Sequence, residues 1–344
     1  MRNQRTKGLI TALVALSFVA AACGDDDSSS SDTTAAAAET TAAPAETTAP
    51  EETTAPEETT APDETTGDTA AMGECTETTP VKLQLQWVTQ AQFAGYYAAI
   101  DQGFYDAMCL DVTILEGAVD ITPQTVLANG DADFAISWVP KALASREAGA
   151  DIVDIAQVFQ RSGTLQVSFK DKNITSPADF AGKRIGNWGF GNEFEVFAAM
   201  TKAGIDPATV DNVAQQFDMV GLLEGDIDAA EAMTYNEYAQ VLEAINPDTG
   251  ELYTPEDFNV ISYEDEGVGM LQDAIWADGA RLGDDAYKTT AINFVAASLQ
   301  GWAYCRDNVE ACATLVTDQG SALGLTHQTW QMNEINKLIW PAEG

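Results

Sequence analysis

Three short segments of the chain combine aromatic rings with carboxamide or carboxylate side chains. Their candidate binding residues are Trp87, Gln90, Gln92 and Tyr96; then Trp188, Phe190, Asn192 and Glu193; and then Tyr235, Asn236 and Glu237, with Trp138 as a fourth aromatic position. Aromatic rings offer flat stacking faces, and an amide offers a hydrogen-bond donor beside an acceptor. This combination suits a flat ring with polar atoms at its edge.

The Gly-Phe-Gly motif at Gly189 is not typical of a dinucleotide-binding loop, because Phe194 occupies the third glycine position. Glu193 and Glu195 lie in the first turn of the helix that follows, where a negative charge complements the helix dipole. Their charge would repel a phosphate or a sulfonate. Glu193 therefore has two interpretations, a helix cap or a carboxylate that pairs with the N–H edge of an aminopyrimidine.

Composition excludes several classes of function. The chain has 344 residues with 54 acidic and 16 basic side chains, a net charge of −38. Nucleic acids and anionic membrane surfaces repel such a protein. The single histidine, His327, argues against a Ser/His/Asp triad and against a multi-histidine metal site. Arginine is scarce near the three segments, which disfavours a bidentate clamp for nitrate, sulfonate or phosphate.

Strands and helices alternate along the chain and predict an α/β protein with parallel sheets. The first strand is expected at Val81–Trp87 and the first helix at Ala91–Asp106. Two alternating blocks with a helical C-terminal part predict two lobes, 81–169 with 263–344 and 170–262. The three segments follow strands, so their side chains are expected at the carboxyl ends of the strands, where open α/β sheets bind ligands.

The first eighty residues predict export and anchoring. Residues 1–22 have a basic start and a short apolar run, as a secretory signal does. The segment that ends at Cys23 resembles a bacterial lipobox, which implies cleavage before Cys23 and its lipidation. Residues 23–80 are rich in acids, threonine, proline and alanine and lack aromatic side chains, so a disordered tether is expected.

With Cys23 lipidated, an even number of cysteines remains for an oxidising compartment. These are Cys75, Cys109, Cys305 and Cys312, and three pairings are possible. Cys75 and Cys109 precede strands that are expected to be neighbours, and Cys305 and Cys312 are close in sequence. The absence of a Cys-x-x-Cys motif argues against a zinc or redox role.

Several blocks together resemble the substrate-binding proteins of ABC importers for thiamine pyrimidine precursors, which are relatives of nitrate and sulfonate binders and of yeast thiamine pyrimidine synthase. The similarity runs over roughly 81–340, and its most specific blocks are Trp87…Gln90-Ala91-Gln92-Phe93-Ala94-Gly95-Tyr96 and Thr234-Tyr235-Asn236-Glu237. The resemblance implies a type II periplasmic-binding-protein fold, lobe closure around the ligand, and docking on a permease that works with an ATPase. A sister group is associated with riboflavin, and the Gly-Phe-Gly-Asn-Glu motif fits that group as well.

The sequence therefore predicts a monomeric, extracytoplasmic solute-binding lipoprotein that captures a flat nitrogen heterocycle, without a cofactor or a metal. The membrane is expected to hold it through the lipid alone. Riboflavin, or a sulfonate or nitrate, are the alternative ligands. The rival class is an enzyme like the yeast synthase, which uses a lysine-bound pyridoxal phosphate, a histidine and a cysteine-rich iron motif. Here no lysine falls within the three segments and no cysteine cluster exists.

Overall fold

Ten strands and ten α-helices form the structure, a computed structural model that describes residues 75–341. The predicted signal segment, Cys23 and most of the predicted tether lie outside these residues. The strands are β1 Thr79–Gln84, β2 Leu110–Leu115, β3 Phe134–Trp138, β4 Ile152–Gln157, β5 Thr164–Phe169, β6 Arg184–Asn187, β7 Asp211–Ala214, β8 Ala230–Met233, β9 Phe258–Ser262 and β10 Asp273–Asp278.

The α-helices alternate with these strands until β8 and dominate after β10. They are α1 Ala94–Asp101, α2 Phe104–Ala107, α3 Pro123–Ala128, α4 Val139–Glu147, α5 Phe194–Ala203, α6 Val220–Leu223, α7 Glu237–Glu243, α8 Asp285–Asp307, α9 Val309–Asp318 and α10 Leu325–Ile339. Within residues 75–341, no helix combines the length and the apolar character needed to span a membrane.

A five-stranded sheet has the order β2-β1-β3-β10-β4, and a three-stranded sheet has the order β8-β5-β9. We call the part built on the first sheet lobe 1 and the part built on the second, together with the β6-β7 pair, lobe 2. β1 is parallel to β2 and β3, and β6 is parallel to β7. β10 is antiparallel to both its neighbours, and so is β5.

The expectation of purely parallel sheets was therefore wrong. A parallel neighbour needs a long crossover connection, usually a helix. β5 and β10 instead follow the two connections between the sheets, residues 158–163 and 263–272, which contain no helix. The position of β5 also differs from the expected boundary, since β5 falls within 81–169 but pairs with strands of lobe 2.

The expected helix Ala91–Asp106 is divided into a 3-10 turn, α1 and α2. Gly103 has a φ of +70°, in the left-handed region that glycine adopts without a Cβ penalty, and it separates α1 from α2. The expected first strand is also shorter, because β1 ends at Gln84 and residues 85–90 form a loop beside the cleft.

Helix α1 packs very closely against α8 in the core of lobe 1. A Cβ on Gly95 would lie 2.2 Å from the indole of Trp302, and a Cβ on Gly301 would lie 2.0 Å from the carbonyl oxygen of Gly95. Only glycine fits at these two crossing points. The packing therefore explains why Gly95 of the Phe-Ala-Gly-Tyr block is a glycine, without a role in binding. It also holds the start of α1 at the cleft edge of lobe 1.

Two disulfides join elements of lobe 1. Cys75 is bonded to Cys109, just before β2, and Cys305 at the end of α8 is bonded to Cys312 in α9. The backbone N–H of Thr79 donates to the carbonyl of Cys109 at 2.9 Å, so the first described residues are held against β2 by both bonds.

Candidate functional site

A cavity lies between the two lobes and encloses about 130 Å³ of space that the centres of water-sized spheres can occupy. Ten of the twelve candidate binding residues line it. These ten are Trp87, Gln90, Gln92, Trp138, Trp188, Phe190, Asn192, Tyr235, Asn236 and Glu237. The remaining lining residues are Gln86, Ala118, Val119, Ile121, Thr122, Pro123, Gln124, Lys141, Phe217 and Met233.

Aromatic rings from both lobes form one wall of the cavity. Trp87 of lobe 1 contacts Phe217 of lobe 2, with ring centroids 4.7 Å apart and planes tilted by 40°. Trp188 lies nearly parallel to Phe217, with centroids 6.5 Å apart and planes at 6°. The lobes therefore meet through aromatic surface that a flat ligand could share.

Phe190 stands at the edge of this wall and is 78 % exposed although it lines the cavity. Its φ is +56°, and both neighbours, Gly189 and Gly191, also have positive φ. A phenylalanine in the left-handed region stores strain on the order of 1–3 kcal/mol. The run of left-handed residues turns the chain from β6 into α5 and leaves the phenyl ring at the mouth of the cavity.

A chain of glutamines connects the cavity to the interior of lobe 1. Asp273 accepts a hydrogen bond from Gln86 Nε2 at 2.6 Å and another from Gln92 Nε2 at 3.0 Å. Gln92 Oε1 accepts from Gln90 Nε2 at 2.7 Å, and Gln90 Oε1 accepts from Gln331 Nε2 at 3.1 Å. Each link has the same direction, with every amide N–H turned toward Asp273.

Asp273 is 1 % exposed and does not line the cavity itself. Burial raises the pKa of its carboxyl from 3.8 to about 7, while the hydrogen bond from Gln92, the nearby indole of Trp138 and the charge of Lys141 act in the opposite direction. The carboxyl therefore titrates near neutral pH.

Asn236 and Glu237 lie at the end of β8, as the sequence predicts, and form a second polar chain. Asn236 Nδ2 donates to Glu237 Oε1 at 2.7 Å, and Asn236 Oδ1 lies 3.0 Å from His327 Nε2. His327 Nδ1 lies 3.0 Å from a carboxylate oxygen of Glu243. His327 belongs to α10, so it links lobe 1 to two residues of lobe 2. Burial raises the pKa of Glu237 to about 7.

Glu231 on β8 lies fully buried behind Trp188. One carboxylate oxygen accepts the backbone N–H of Trp188 at 2.9 Å, and the other has no partner among the described residues. Burial raises the pKa of Glu231 well above its ordinary value, and the charges of Glu195, Glu193 and Glu237 raise it further. The region behind the cavity is consequently acidic.

Lys141 carries the one positive charge among the lining residues named above. Its ammonium lies 5.2 Å from the ring centroid of Trp138, in a cation–π arrangement. Burial lowers the pKa of Lys141 to about 8, and the nearby charges of Asp273, Glu231 and Glu193 act in the opposite direction. The ammonium is available to an oxygen of a ligand.

Several cavity atoms are buried and have no hydrogen-bond partner among residues 75–341. Gln86 Oε1 and Gln124 Oε1 are acceptors of this kind, and Trp188 Nε1 is a donor. Unpaired buried polar atoms are costly in a protein alone, and a bound polar ring could satisfy them. The cavity thus offers both donors and acceptors, framed by aromatic surface.

Two candidate residues are not brought to the cavity. Tyr96 is 1 % exposed and lies in the core of lobe 1, where its ring meets Trp302 edge-on with centroids 5.6 Å apart. The cause is the close packing of α1 on α8, which turns this face of α1 inward. Glu193 precedes α5, and its carboxylate accepts the backbone N–H of Gly191 at 2.8 Å. It stabilises the turn and does not line the cavity.

Some cavity residues were missed by the sequence analysis. Phe217 follows β7 and Gln124 lies in the first turn of α3 after β2, so the strand-end argument could have found both if applied to every strand. Lys141 lies three residues after Trp138, in α4. Asp273 lies behind the cavity and had no such signal, because it is at the start of an antiparallel strand, directly opposite Trp138.

No group of three or more His, Cys, Asp and Glu side chains within residues 75–341 is arranged to hold a metal ion. The chemistry of the cavity consists instead of ring stacking, hydrogen bonding by amides, buried carboxyl groups and one ammonium.

Comparison with known proteins gives relatives in sequence and in structure. The formylaminopyrimidine-binding protein of Halalkalibacterium halodurans is 26% identical over 258 residues, which cover 74% of this chain and 74% of the relative. The periplasmic aliphatic sulphonate binding protein of Escherichia coli has a TM-score of 0.56 at 13% identity, covering 74% of this chain and 78% of that chain.

A Candida albicans protein described as exhibiting the generic periplasmic binding protein structural fold has a TM-score of 0.51 at 14% identity, over 74% of this chain and 81% of that chain. The two-lobed α/β periplasmic-binding-protein fold expected from the sequence is therefore confirmed. Residues 90–311 match the family model described as NMT1/THI5 like. Since this segment is more than half of the chain, the protein belongs to the NMT1/THI5-like family.

Proposed function

We propose that this protein is the extracytoplasmic solute-binding lipoprotein of an ABC importer and captures a flat nitrogen heterocycle, a pyrimidine precursor of thiamine. The observation that carries the proposal is the cavity between the lobes. It combines the rings of Trp87, Trp188 and Phe217 with the unpaired acceptors of Gln86 and Gln124. The name of the Halalkalibacterium halodurans relative supports the same class of ligand.

The size of the cavity favours one small ring. The cavity has a volume of about 130 Å³ and lies between aromatic rings of the two lobes. A substituted pyrimidine is a single ring, whereas riboflavin has three fused rings and a ribityl chain. We therefore propose the single ring as the ligand of the lobes in this arrangement.

The charge of the cavity disfavours a sulfonate or nitrate. No arginine belongs to the lining residues, and the carboxyl groups of Asp273, Glu231 and Glu237 lie behind or beside it. An anion would have Lys141 as its one cationic partner. A ring that presents N–H groups is the better match, because buried carboxylates and amide oxygens accept hydrogen bonds.

Binding rather than catalysis is the function that these groups support. The yeast synthase of this family needs a reactive histidine and cysteines, whereas here His327 lies between Asn236 and Glu243. The cysteines of the described region are joined in disulfides. No lysine falls within the three segments, but Lys141 does line the cavity. A lysine alone does not supply the reactive histidine and cysteines that the yeast synthase also needs.

We infer a mechanism of capture by lobe closure. Trp87 and Phe217 belong to different lobes, so a ring bound against both stabilises the closed form relative to open forms. The permease then recognises the closed form. Lipidation at Cys23 would keep the protein near that permease, and a Cys23→Ala variant should appear in the medium or the soluble extracytoplasmic fraction.

The proposal is tested by the ligand that the protein carries and by one pair of variants. Mass spectrometry of the protein purified without added ligand should identify a substituted pyrimidine. Trp87→Ala should weaken pyrimidine binding by at least tenfold, while Trp87→Phe, which retains a stacking ring, should bind more tightly than Trp87→Ala. Equal affinity in wild type and Trp87→Ala would remove this cavity from consideration as the pyrimidine site.

A further inference from the structure

A buried carboxylate that does not line the cavity controls the orientation of amides that do. Asp273 Oδ1 accepts from Gln86 Nε2 at 2.6 Å, and Asp273 also accepts from Gln92 Nε2 at 3.0 and 3.3 Å. Both glutamines line the cavity. Asp273 therefore stands directly behind the surface that a ligand would contact.

Both oxygens of Asp273 accept hydrogen bonds from glutamine nitrogens, and an amide has one donating end and one accepting end. Gln86 and Gln92 must therefore turn their nitrogens toward Asp273 and their oxygens away from it. Gln92 Oε1 is used by Gln90. Gln86 Oε1 is buried without a partner among the described residues, and it is thus left as an acceptor for a ligand.

We propose that Asp273 is a positioning residue that determines ligand specificity, because it holds the amide of Gln86 with its oxygen free and so selects heterocycles that present an exocyclic N–H group. The inference rests on the proposed function and names the feature that the ligand must have. An exocyclic amine on the ring supplies such an N–H, and a carbonyl at the same ring position does not.

Replacing Asp273 by asparagine inverts this arrangement. The new side chain has a single accepting oxygen and a donating nitrogen, so it cannot receive both glutamine N–H groups. One amide must reverse to place its oxygen against the asparagine N–H. Reversal of Gln86 breaks no other hydrogen bond, because its oxygen has no partner, whereas reversal of Gln92 would also require Gln90 and Gln331 to reverse. The reversal is therefore expected at Gln86, which then presents a donor to the cavity in place of an acceptor.

The test compares two probes by isothermal titration calorimetry, 4-amino-5-hydroxymethyl-2-methylpyrimidine and its 4-oxo analogue. We expect wild type to prefer the amino compound, and we expect the ratio of the two affinities to shift toward the oxo compound by at least tenfold in Asp273→Asn. Asp154→Asn on β4 of the same sheet removes a carboxylate away from the cavity. It should retain the wild-type ratio.

A second variant distinguishes the positioning role of Asp273 from a simple loss of folding in Asp273→Asn. In Asp273→Asn with Gln86→Glu, the net charge is unchanged and the asparagine N–H can donate to the new carboxylate, which retains an accepting oxygen for the ligand. This double variant should restore the preference for the amino compound. The preference would not be restored if Asp273 served only as structural support.

The outcomes separate the two proposals. If wild type binds the amino compound and Asp273→Asn weakens both probes equally, the positioning role is wrong and the proposed function stands. An unchanged ratio in Asp273→Asn has the same meaning. If wild type binds neither probe, the proposed pyrimidine function fails, and the specificity inference fails with it.

Discussion

The buried carboxyl groups around the cavity should make the protein more stable in mild acid than at slightly basic pH. Burial raises the pKa of Asp273 and of Glu237 to about 7, and it raises the pKa of Glu195 and Glu231 as well. In the unfolded chain these groups ionise near their ordinary values. The folded protein therefore keeps protons that the unfolded chain has already released.

The sign of the effect follows from linkage. Because the folded state binds these protons more tightly, the free energy of unfolding falls as the pH rises from about 4 to about 7, and the contributions of Asp273 and Glu237 level off above that range. The pKa of Asp273 is 3.8 in the unfolded chain and about 7 in the folded protein, which corresponds to a decrease of about 4 kcal/mol in the free energy of unfolding. The pKa of Glu237 is 4.5 in the unfolded chain and about 7 in the folded protein, which corresponds to a decrease of about 3 kcal/mol.

These amounts are large beside a typical total of about 5–15 kcal/mol. Urea unfolding of the disulfide-bonded protein at pH 5, 6, 7 and 8 measures the effect, with added salt to screen repulsion between surface charges. The double variant Asp273→Asn with Glu237→Gln should show a shallower decline between pH 5 and 7, because only Glu195 and Glu231 of these four groups remain. Asp248→Asn, on the surface, should keep it.

A free energy of unfolding that is constant or rises between pH 5 and 7 in wild type would refute the reasoning. So would an equally steep decline in the double variant, because the decline would then arise from groups other than Asp273 and Glu237. The pKa of each carboxyl could be followed independently by NMR titration of its side-chain carbon.

Three further predictions concern packing, a cross-link and the contact between lobes. Gly95→Ala should lower the free energy of unfolding by about 3 kcal/mol or more through overpacking. Gly283→Ala should not, because its Cβ would meet nothing within 4 Å. Equal stability of the two variants in urea unfolding would contradict the close packing at Gly95. Replacing Cys75 and Cys109 by alanine should cost about 4 kcal/mol, since the bridge closes a loop of 34 residues; an unchanged thermal midpoint would contradict this. His327→Gln should weaken ligand binding 5- to 30-fold, about 1–2 kcal/mol, by breaking the link between lobes; unchanged calorimetric affinity would exclude it.

The sequence was informative for residues whose side chains suit ligand binding and which also follow a strand. Trp87, Trp188 and Asn236 could be assigned to the cleft because each follows a strand, and the carboxyl ends of strands in an α/β sheet meet at one edge. Tyr96 could not be placed in the same way. Its orientation depends on the packing of α1 against Trp302, some two hundred residues later in the chain.

Asp273 shows a second limit of the sequence analysis. The hydrogen bonds that give it a role join it to Gln86 and Gln92, 187 and 181 residues away. It reaches them because β10 enters the sheet in the antiparallel direction, which places its first residue opposite the last residue of β3. Alternation of strands and helices predicted parallel neighbours, and so this residue was not considered.

The central claim is that the cavity between the lobes binds a pyrimidine. Isothermal titration calorimetry of the wild-type protein with 4-amino-5-hydroxymethyl-2-methylpyrimidine, riboflavin, taurine and nitrate tests it most directly. We expect one pyrimidine to bind per chain, with Trp188→Ala reducing the affinity at least tenfold, and no measurable binding of taurine or nitrate. Binding of taurine, nitrate or riboflavin without binding of the pyrimidine would contradict the claim.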